Sequence, residues 1–245
     1  MLKNLVRQML PSQMFNYLKK IKNRLSMSQK TTQTKNDYIV RQATPQKDAH
    51  APQDLNIYWD SKMAEILETW GEGNVWNEIQ YLMVASQGRA LDIACGTGKT
   101  MEILSKFPML EIHGCDISDL LITKAVSRGI KRKRLKVGDA TNLDYEDNFF
   151  DYAYSIGSLE HFTEDGIASF LKECKRVTKI ASFHNVPVSR TNQDEGWIKR
   201  TQSYYNNSVE WWMQKYKHEY NNVHILDSAW NDSRSVGKWF ICIND

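Results

Sequence analysis

The residues best suited to chemistry in this chain form an acid-and-glycine motif in the stretch RALDIACGTGKT, residues 89–100. An apolar run ends at Cys95, Gly96 and Gly98 follow, and an amphipathic segment begins directly afterwards. That order predicts a buried strand, a glycine turn and the start of a helix. An open α/β sheet binds a nucleotide with this arrangement, at the carboxyl ends of its strands.

Spacing separates the nucleotide-binding motifs that this stretch could represent. A phosphate-binding P-loop needs a glycine five residues before Gly98, where this chain has Ile93. A dinucleotide fingerprint needs a small residue three positions after Gly98, where the chain has Met101. What remains is Asp92-x-x-x-Gly96-x-Gly98. Taken alone, it is also compatible with a strand–helix turn that binds nothing.

Two further acids end predicted strands. Asp116 closes the stretch LEIHGCD, and a carboxylate there can accept hydrogen bonds from both ribose hydroxyls of an adenosine. Asp139 follows the short strand LKV and can accept from the adenine amine, while the small Ala140 leaves room for the ring. We therefore expect an adenosine-containing ligand along one edge of the sheet.

Candidates for proton transfer follow the fourth predicted strand. Histidine titrates near neutrality, so His161 is the best-placed general base, with Glu160 as its orienting partner or a second base. The alternative is a histidine that caps the next helix. His184 and Asn185 fall at the end of the fifth strand, where substrate groups usually lie, although a core histidine is equally compatible with the sequence.

Four segments occur in the order and spacing of a known family: LDIACGTG, HGCDIS, VGDATNL and DNFFDYAYSIGSLEHF. Together they resemble the small class I S-adenosylmethionine-dependent methyltransferases. The resemblance implies S-adenosyl-L-methionine as cofactor and S-adenosyl-L-homocysteine as product, with Ser155 and Ile156 beneath the sulfonium. The implied cofactor contacts are Asp92, Ala94, Cys95, Gly96, Gly98, Asp116, Ile117, Asp139, Ala140, Ser155 and Ile156.

The acceptor side is predicted from position and composition. We expect substrate contacts from His184, Asn185, Tyr204 and Tyr58. Some relatives carry a glutamate three residues before the Glu-His pair and are thought to bind a divalent metal there. This chain has Gly157 at that position, so no metal is predicted.

The whole pattern predicts an α/β fold: a Rossmann-like, seven-stranded, mostly parallel sheet with an antiparallel terminal strand and helices on both faces. Residues 54–86 contain two helical patterns, separated by residues 71–73, before the first strand. Helices at this position either form a lid over the ligand or pack in the core.

An aromatic-rich insertion spans residues 188–221. Its stripe Trp212, Tyr216 and Tyr220 is compatible with core packing or with stacking on a substrate.

The amino-terminal part differs in composition from the rest. Residues 1–50 hold ten lysines and arginines against two acids, whereas the whole chain has a formal net charge of +3. Residues 1–25 form a basic amphipathic leader, residues 26–53 a polar linker and residues 54–245 the methyltransferase domain. The leader can lie on an anionic membrane or pack on a protein surface. Residues 51–245 are mildly acidic, which argues against nucleic acid as a partner. The sequence does not indicate the oligomeric state.

Four dispersed cysteines and the lack of a signal-peptide pattern predict a cytoplasmic protein, peripheral to the inner membrane face if the leader binds there.

We expect methyl transfer to a hydroxyl or amine of a small or carbohydrate-type acceptor. A looser similarity of the carboxyl-terminal segment points to bacterial surface-polysaccharide methyltransferases. The alternative is a catalytically silent partner or scaffold that binds the cofactor; a nicotinamide dehydrogenase is disfavoured by Met101.

Overall fold

The computed structural model describes residues 61–198 and 203–244. The predicted leader, the linker and Tyr58 lie outside these residues. Within them, no helix combines the length and apolar composition needed to cross a membrane.

The sheet confirms the predicted fold class. Its strand order is β3-β2-β1-β4-β5-β9-β8, with β1 to β5 parallel, β9 antiparallel to β5, and β8 antiparallel to β9. The strands are β1 (Gly88–Ile93), β2 (Leu110–Asp116), β3 (Leu135–Val137), β4 (Phe150–Ile156), β5 (Thr178–Ser189), β8 (Asn222–Asn231) and β9 (Ser235–Ile243), and a separate pair is formed by β6 (Trp197–Ile198) and β7 (Tyr204–Tyr205).

Helices cover both faces of the sheet. They are α1 (Ser61–Ile66), α2 (Val75–Met83), α3 (Lys99–Leu104), α4 (Asp119–Ser127), α5 (Glu164–Val177) and α6 (Val209–Glu219), with short 3₁₀ turns at Arg132–Arg134 and Leu159–His161. The buried residues of α2, α3 and α4 pack in one core cluster, and those of α5 and α6 pack in another on the opposite face. The stripe Trp212, Tyr216 and Tyr220 belongs to the second cluster and is buried. It is therefore core rather than a substrate platform.

Local sequence signals set several of these boundaries. The Ser118 side chain accepts a hydrogen bond from the Leu121 amide and caps α4, as its position before the helix predicts. Gly129 follows the end of the same helix with φ of +98°, a conformation that glycine adopts without strain. Both residues fix the path of the chain from β2 to β3.

Gly114 explains how β2 accommodates a large residue in α3. A Cβ atom at Gly114 would lie 2.6 Å from the Met101 sulfur and 2.9 Å from the Cys95 sulfur. The missing side chain in β2 therefore makes room for Met101, the residue that departs from the dinucleotide fingerprint. Gly98, which precedes α3, is equally restricted, since its Cβ would lie 3.0 Å from Ala125 of α4.

Glu78 of α2 fixes this helix to the terminal strand pair. Its carboxylate accepts hydrogen bonds from the Trp239 indole (2.7 Å), the Ser228 hydroxyl (2.7 Å) and the Ala229 amide (2.6 Å). Charged acceptors form the stronger class of hydrogen bond. One side chain thus connects the amino-terminal helices to β8 and β9.

A buried polar cluster holds the insertion on the ends of β5 and β9. Asn206 has no exposed surface, donates to Glu195 at 3.0 Å and accepts from the Ser235 hydroxyl at 3.0 Å. Ser189 donates to the other Glu195 oxygen at 2.8 Å. These hydrogen bonds fix the path of the segment that contains Ser203, which the functional site uses.

Candidate functional site

A cleft opens at the carboxyl ends of β1, β2, β3 and β4. The predicted residues that line it are Ala94, Asp116, Ile117, Asp139, Ala140 and His161, and three others join them: Gly138, Ser158 and Phe162. Parallel strands end at the same edge of a sheet, so residues far apart in the sequence meet here.

The turn after β1 has an unusual backbone. Ala94, Gly96 and Gly98 all have positive φ, at 60°, 53° and 72°. The two glycines adopt this region readily, whereas alanine does so at a cost of roughly 1–2 kcal/mol. Leu67, which follows α1, lies against this turn, 3.3 Å from where a Gly96 Cβ would be.

Asp116 closes the turn from the side of β2. One carboxylate oxygen accepts from the Gly96 amide and the other from the Ser118 amide, both at 2.9 Å. Burial raises the pKa of Asp116 to about 6, and these two amides act in the opposite direction. Each oxygen keeps a second lone pair for a ligand hydroxyl.

Asp92 lies deeper, one strand away from Asp116. Its carboxyl is buried, which raises its pKa well above the usual range, and the nearby Asp116 adds to the shift. Tyr154 stands opposite Asp92 in the β1–β4 register. Cys95 is also buried, and burial raises the pKa of its thiol well above the ordinary value. Neither residue lines the described cleft, and both lie behind the glycine turn.

His161 forms part of the cleft wall beside the fourth strand end. Its Nδ1 lies 2.7 Å from the Ser203 carbonyl of the insertion. A carbonyl only accepts, so Nδ1 carries the proton and Nε2 is the basic nitrogen of the neutral ring. Burial lowers the pKa of His161, against the effect of the Ser203 carbonyl. The ring is therefore neutral near pH 7, as a general base must be.

Glu160 is the buried neighbour of this histidine. Its Oε1 lies 3.8 Å from His161 Nε2, and burial raises its pKa to about 8. A carboxyl group with such a pKa is largely protonated at pH 7. The predicted pair is thus brought together, with His161 facing the cleft and Glu160 facing Gly157 and Trp70.

Two residues predicted to contact the cofactor or the substrate, Ser155 and His184, lie in the core instead. Ser155 and His184 are fully buried, with Ser155 Oγ 2.8 Å from His184 Nδ1, and the histidine ring packs against Phe170 and Tyr216. Side chains alternate along a strand, and this alternation turns both residues toward α5 and α6, away from the cleft. Burial lowers the pKa of His184 to about 3. The expected sulfonium contact of Ser155 and substrate contact of His184 are therefore corrected to a core hydrogen bond.

Ile156, Asn185 and Tyr204 remain near the site. Ile156 and Asn185 are paired in the β4–β5 register, on the face that carries α2 and α3. Tyr204 is largely buried in β7, directly after Ser203. The position of Ile156 is compatible with its predicted cofactor contact, and those of Asn185 and Tyr204 with the predicted acceptor side.

Arg128 is a residue of the site that sequence reasoning missed. Its guanidinium donates to the Thr97 carbonyl (2.9 Å) and to Glu102 of α3 (2.9 Å), and it pairs with Glu68 after α1. It thereby joins the glycine turn to the segment that covers it. The three partners are distant in sequence, and no local pattern marks such an arginine.

Comparison with known proteins identifies the fold's family. A family model described as "Methyltransferase domain" matches residues 90–180. Residues 90–180 thus match a methyltransferase domain, which supports the class I resemblance of the motifs in this stretch. Domains of this family use S-adenosylmethionine and release S-adenosylhomocysteine.

The relatives share part of their length with this chain. The tRNA (carboxymethyluridine(34)-5-O)-methyltransferase of Arabidopsis thaliana is 36% identical over 106 residues, which are 43% of this chain and 25% of that protein. A demethylmenaquinone methyltransferase of Staphylococcus aureus is 38% identical over 95 residues, 37% of this chain and 39% of that protein. The chain thus spans less than half the length of these curated relatives.

A solved structure supports the fold over a longer stretch. An S-adenosylmethionine-dependent methyltransferase from Clostridium acetobutylicum superposes with a TM-score of 0.54 at 15% identity, covering 79% of this chain and 93% of that one.

The cleft fits the family's cofactor. Small residues line it at Ala94, Gly138 and Ala140, which leaves room for a bound ligand. Carboxyl groups stand at two successive strand ends, Asp116 and Asp139, the second of which is exposed and accepts from Thr141.

Proposed function

We propose that this protein transfers the methyl group of S-adenosylmethionine to a hydroxyl or amine of a small acceptor. The observation that carries the proposal is the shared cleft, which Asp116, Asp139 and His161 all line. This arrangement supports a cofactor site with a base beside it.

We assign the cofactor contacts as follows. The Asp116 carboxylate accepts from the ribose hydroxyls, Asp139 from the adenine amine, and Ala140 packs against the ring. Ala94, Gly96 and Gly98 form the turn around the methionine part, with Asp92 and Cys95 behind it and Ile117 and Ile156 beside it. When bound, the cofactor supplies an electrophilic methyl group.

The chain's own residues align the acceptor and remove its proton. His161 is neutral at pH 7, its ring is fixed by the Ser203 carbonyl, and Nε2 is the basic nitrogen of this tautomer. Alignment in a near-attack geometry supplies much of the acceleration in such displacements. Glu160, 3.8 Å from Nε2, orients the imidazole.

Turnover and binding together test this function. We expect calorimetry to detect S-adenosylhomocysteine binding. Methyl-labelled cofactor should transfer label into the small-molecule fraction of cell material. Glycan precursors are the first class to examine, because the carboxyl-terminal segment resembles that of bacterial surface-polysaccharide methyltransferases. Label that enters RNA, as the name of the Arabidopsis relative suggests for that protein, would contradict the proposed acceptor class.

His161→Gln tests the base. At saturating cofactor, kcat of the wild type should fall as pH decreases through the histidine pKa, which lies below 6.5, and remain flat above it. The variant should lose roughly 10²–10⁴-fold in kcat and show no such fall. His218→Gln, at a largely exposed histidine of α6, is the matched control. Unchanged kcat in His161→Gln would exclude a proton-transfer role.

We also propose that the basic leader, residues 1–25, holds the protein at an anionic membrane surface, where lipid-linked acceptors lie. Its charge and amphipathic pattern support this. Deleting residues 1–30 should move the protein from the membrane fraction to the supernatant. Unchanged partitioning would refute the idea.

A further inference from the structure

Two side chains and one backbone carbonyl, from three segments of the chain, lie around Gly157, directly after β4. The Trp70 ring lies 3.2 Å from where a Gly157 Cβ would be, and Glu160 Oε1 lies 3.6 Å from it. The Gly157 amide donates to the Asn185 carbonyl at 3.0 Å. We refer to Trp70, Gly157, Glu160 and Asn185 as the Gly157 subsite.

Two polar groups of this subsite are buried without a partner. Glu160 is 6% exposed and Asn185 is 2% exposed. Among the residues that the structure describes, neither Glu160 Oε2 nor Asn185 Nδ2 has a hydrogen-bond partner. Folded proteins leave few such groups unsatisfied, so each requires an explanation. A ligand that binds between Trp70 and the end of β4 provides one.

The two groups have different hydrogen-bonding roles, which restricts the ligand. The Asn185 amide nitrogen only donates, whereas the Glu160 carboxyl oxygen accepts when it is ionised and can also donate when it is protonated. A hydroxyl group both donates and accepts, so it satisfies both in either state. A protonated aliphatic amine has no lone pair for Asn185, and a carboxylate fits only the protonated state of Glu160.

The charge of the subsite also favours a neutral group. Burial raises the pKa of Glu160 to about 8, so at neutral pH this carboxyl group offers little negative charge to an ammonium ion. The Trp70 indole supplies an apolar wall, against which the C–H face of a sugar or an aromatic ring packs.

We propose that the Gly157 subsite binds a hydroxyl group of the acceptor, which makes the protein an O-methyltransferase of a hydroxyl-bearing small molecule. This inference rests on the proposed function. In the transfer, a hydroxyl lone pair forms the new C–O bond and the S–C bond breaks with its electron pair remaining on sulfur. The hydroxyl proton leaves to His161 Nε2.

Asn185→Leu is the decisive variant, because leucine has nearly the shape of asparagine but no donor. The thermal midpoint should stay the same or rise, since an unpartnered buried amide is removed. The Kd for S-adenosylhomocysteine should stay within about twofold, while KM for the acceptor should rise by about tenfold or more. Asn77→Leu, at an exposed asparagine of α2, is the matched control. Acceptor KM is measured with the molecule that the labelling identifies.

The transferred methyl group gives an independent readout. The holoenzyme is incubated with ¹³C-methyl cofactor and a small-molecule extract, and the carbon shift of the product distinguishes O-methyl from N-methyl or C-methyl. An O-methyl product together with the Asn185→Leu pattern supports the proposal. An N-methyl or C-methyl product, or an unchanged acceptor KM in Asn185→Leu, overturns it and leaves methyl transfer intact. No transfer by the wild type despite cofactor binding overturns the proposed function and this inference with it.

Discussion

Replacing Asp116 with asparagine separates its part in the fold from its part in cofactor binding. The variant keeps the shape of the side chain but loses the charge and one of two acceptor oxygens. In the wild type, these oxygens accept from the Gly96 and Ser118 amides at 2.9 Å. One of the two amides therefore loses its partner in the variant.

The expected change in stability is small because two effects oppose each other. The rise of the Asp116 pKa from 3.8 to about 6 means that the buried charge destabilises the fold at neutral pH by about 3 kcal/mol, at 1.36 kcal/mol per unit. Removing the charge offsets the lost hydrogen bond, which costs about 1–3 kcal/mol. We expect the free energy of unfolding at pH 7 to remain within about 2 kcal/mol of the wild type.

Cofactor affinity has no comparable compensation. Loss of a charged acceptor for the ribose should weaken binding by about 1–3 kcal/mol, or roughly 5- to 150-fold. The ionised carboxylate is the better acceptor, so wild-type affinity should also fall as pH decreases below about 6, by up to about tenfold per unit.

Calorimetric titration with S-adenosylhomocysteine from pH 5 to 8 measures both effects. The Asp116→Asn variant should bind weakly and without the fall at low pH. Asp119→Asn, at an exposed acid of α4, serves as the control. If wild-type affinity is constant over this range, or if the variant binds as tightly as the wild type, then Asp116 does not contact the cofactor. Urea denaturation supplies a second check. Between about pH 4 and 6 the folded state holds the Asp116 proton more tightly than the unfolded chain, so the free energy of unfolding decreases with rising pH. The Asp116→Asn variant should lack this decrease.

Three further outcomes follow from the structure. Ala94→Gly should raise the free energy of unfolding by up to about 1 kcal/mol in urea denaturation, since φ of 60° is strained for alanine; a loss would mean that the methyl group packs favourably. The pKa of His184 is lowered to about 3, so this residue contributes to the free energy of unfolding above about pH 6.5, and the contribution disappears as the pH falls toward 3. In urea denaturation, His184→Gln should flatten the pH dependence of the unfolding free energy between about pH 3 and 6.5. Glu78→Ala should lower the free energy of unfolding by about 2 kcal/mol or more, because the Trp239 indole and two other donors lose their acceptor. Glu72→Ala, at an exposed glutamate, should change it little. Equal effects of the two substitutions would refute the role of Glu78 in holding α2 to β8 and β9.

Local patterns in the sequence predict the elements well. The residues of β3 are those of the predicted strand, Ser118 caps α4, and Asp116 and Asp139 stand at strand ends where apolar runs stop. These features depend on residues that are near neighbours in the chain, so their spacing contains the necessary information.

The direction of individual side chains is harder to predict. Ser155 and Ile156 are adjacent, and alternation sends one to the core and the other to the opposite face, but the sequence does not say which. Contacts between distant segments are harder still: Arg128 reaches Glu68 and Thr97, 60 and 31 residues away. Such contacts depend on the packed fold, and no spacing rule contains them.

The hydrogen bond from His161 to the Ser203 carbonyl connects two parts of the chain that could otherwise vary independently. The cofactor motifs lie within residues 90–180, which match the family model, whereas the insertion lies outside them. The insertion nevertheless fixes which nitrogen of the histidine is basic. A chimera that exchanged this segment and left no carbonyl at the position of Ser203 would therefore release Nδ1 and change the protonation geometry of His161.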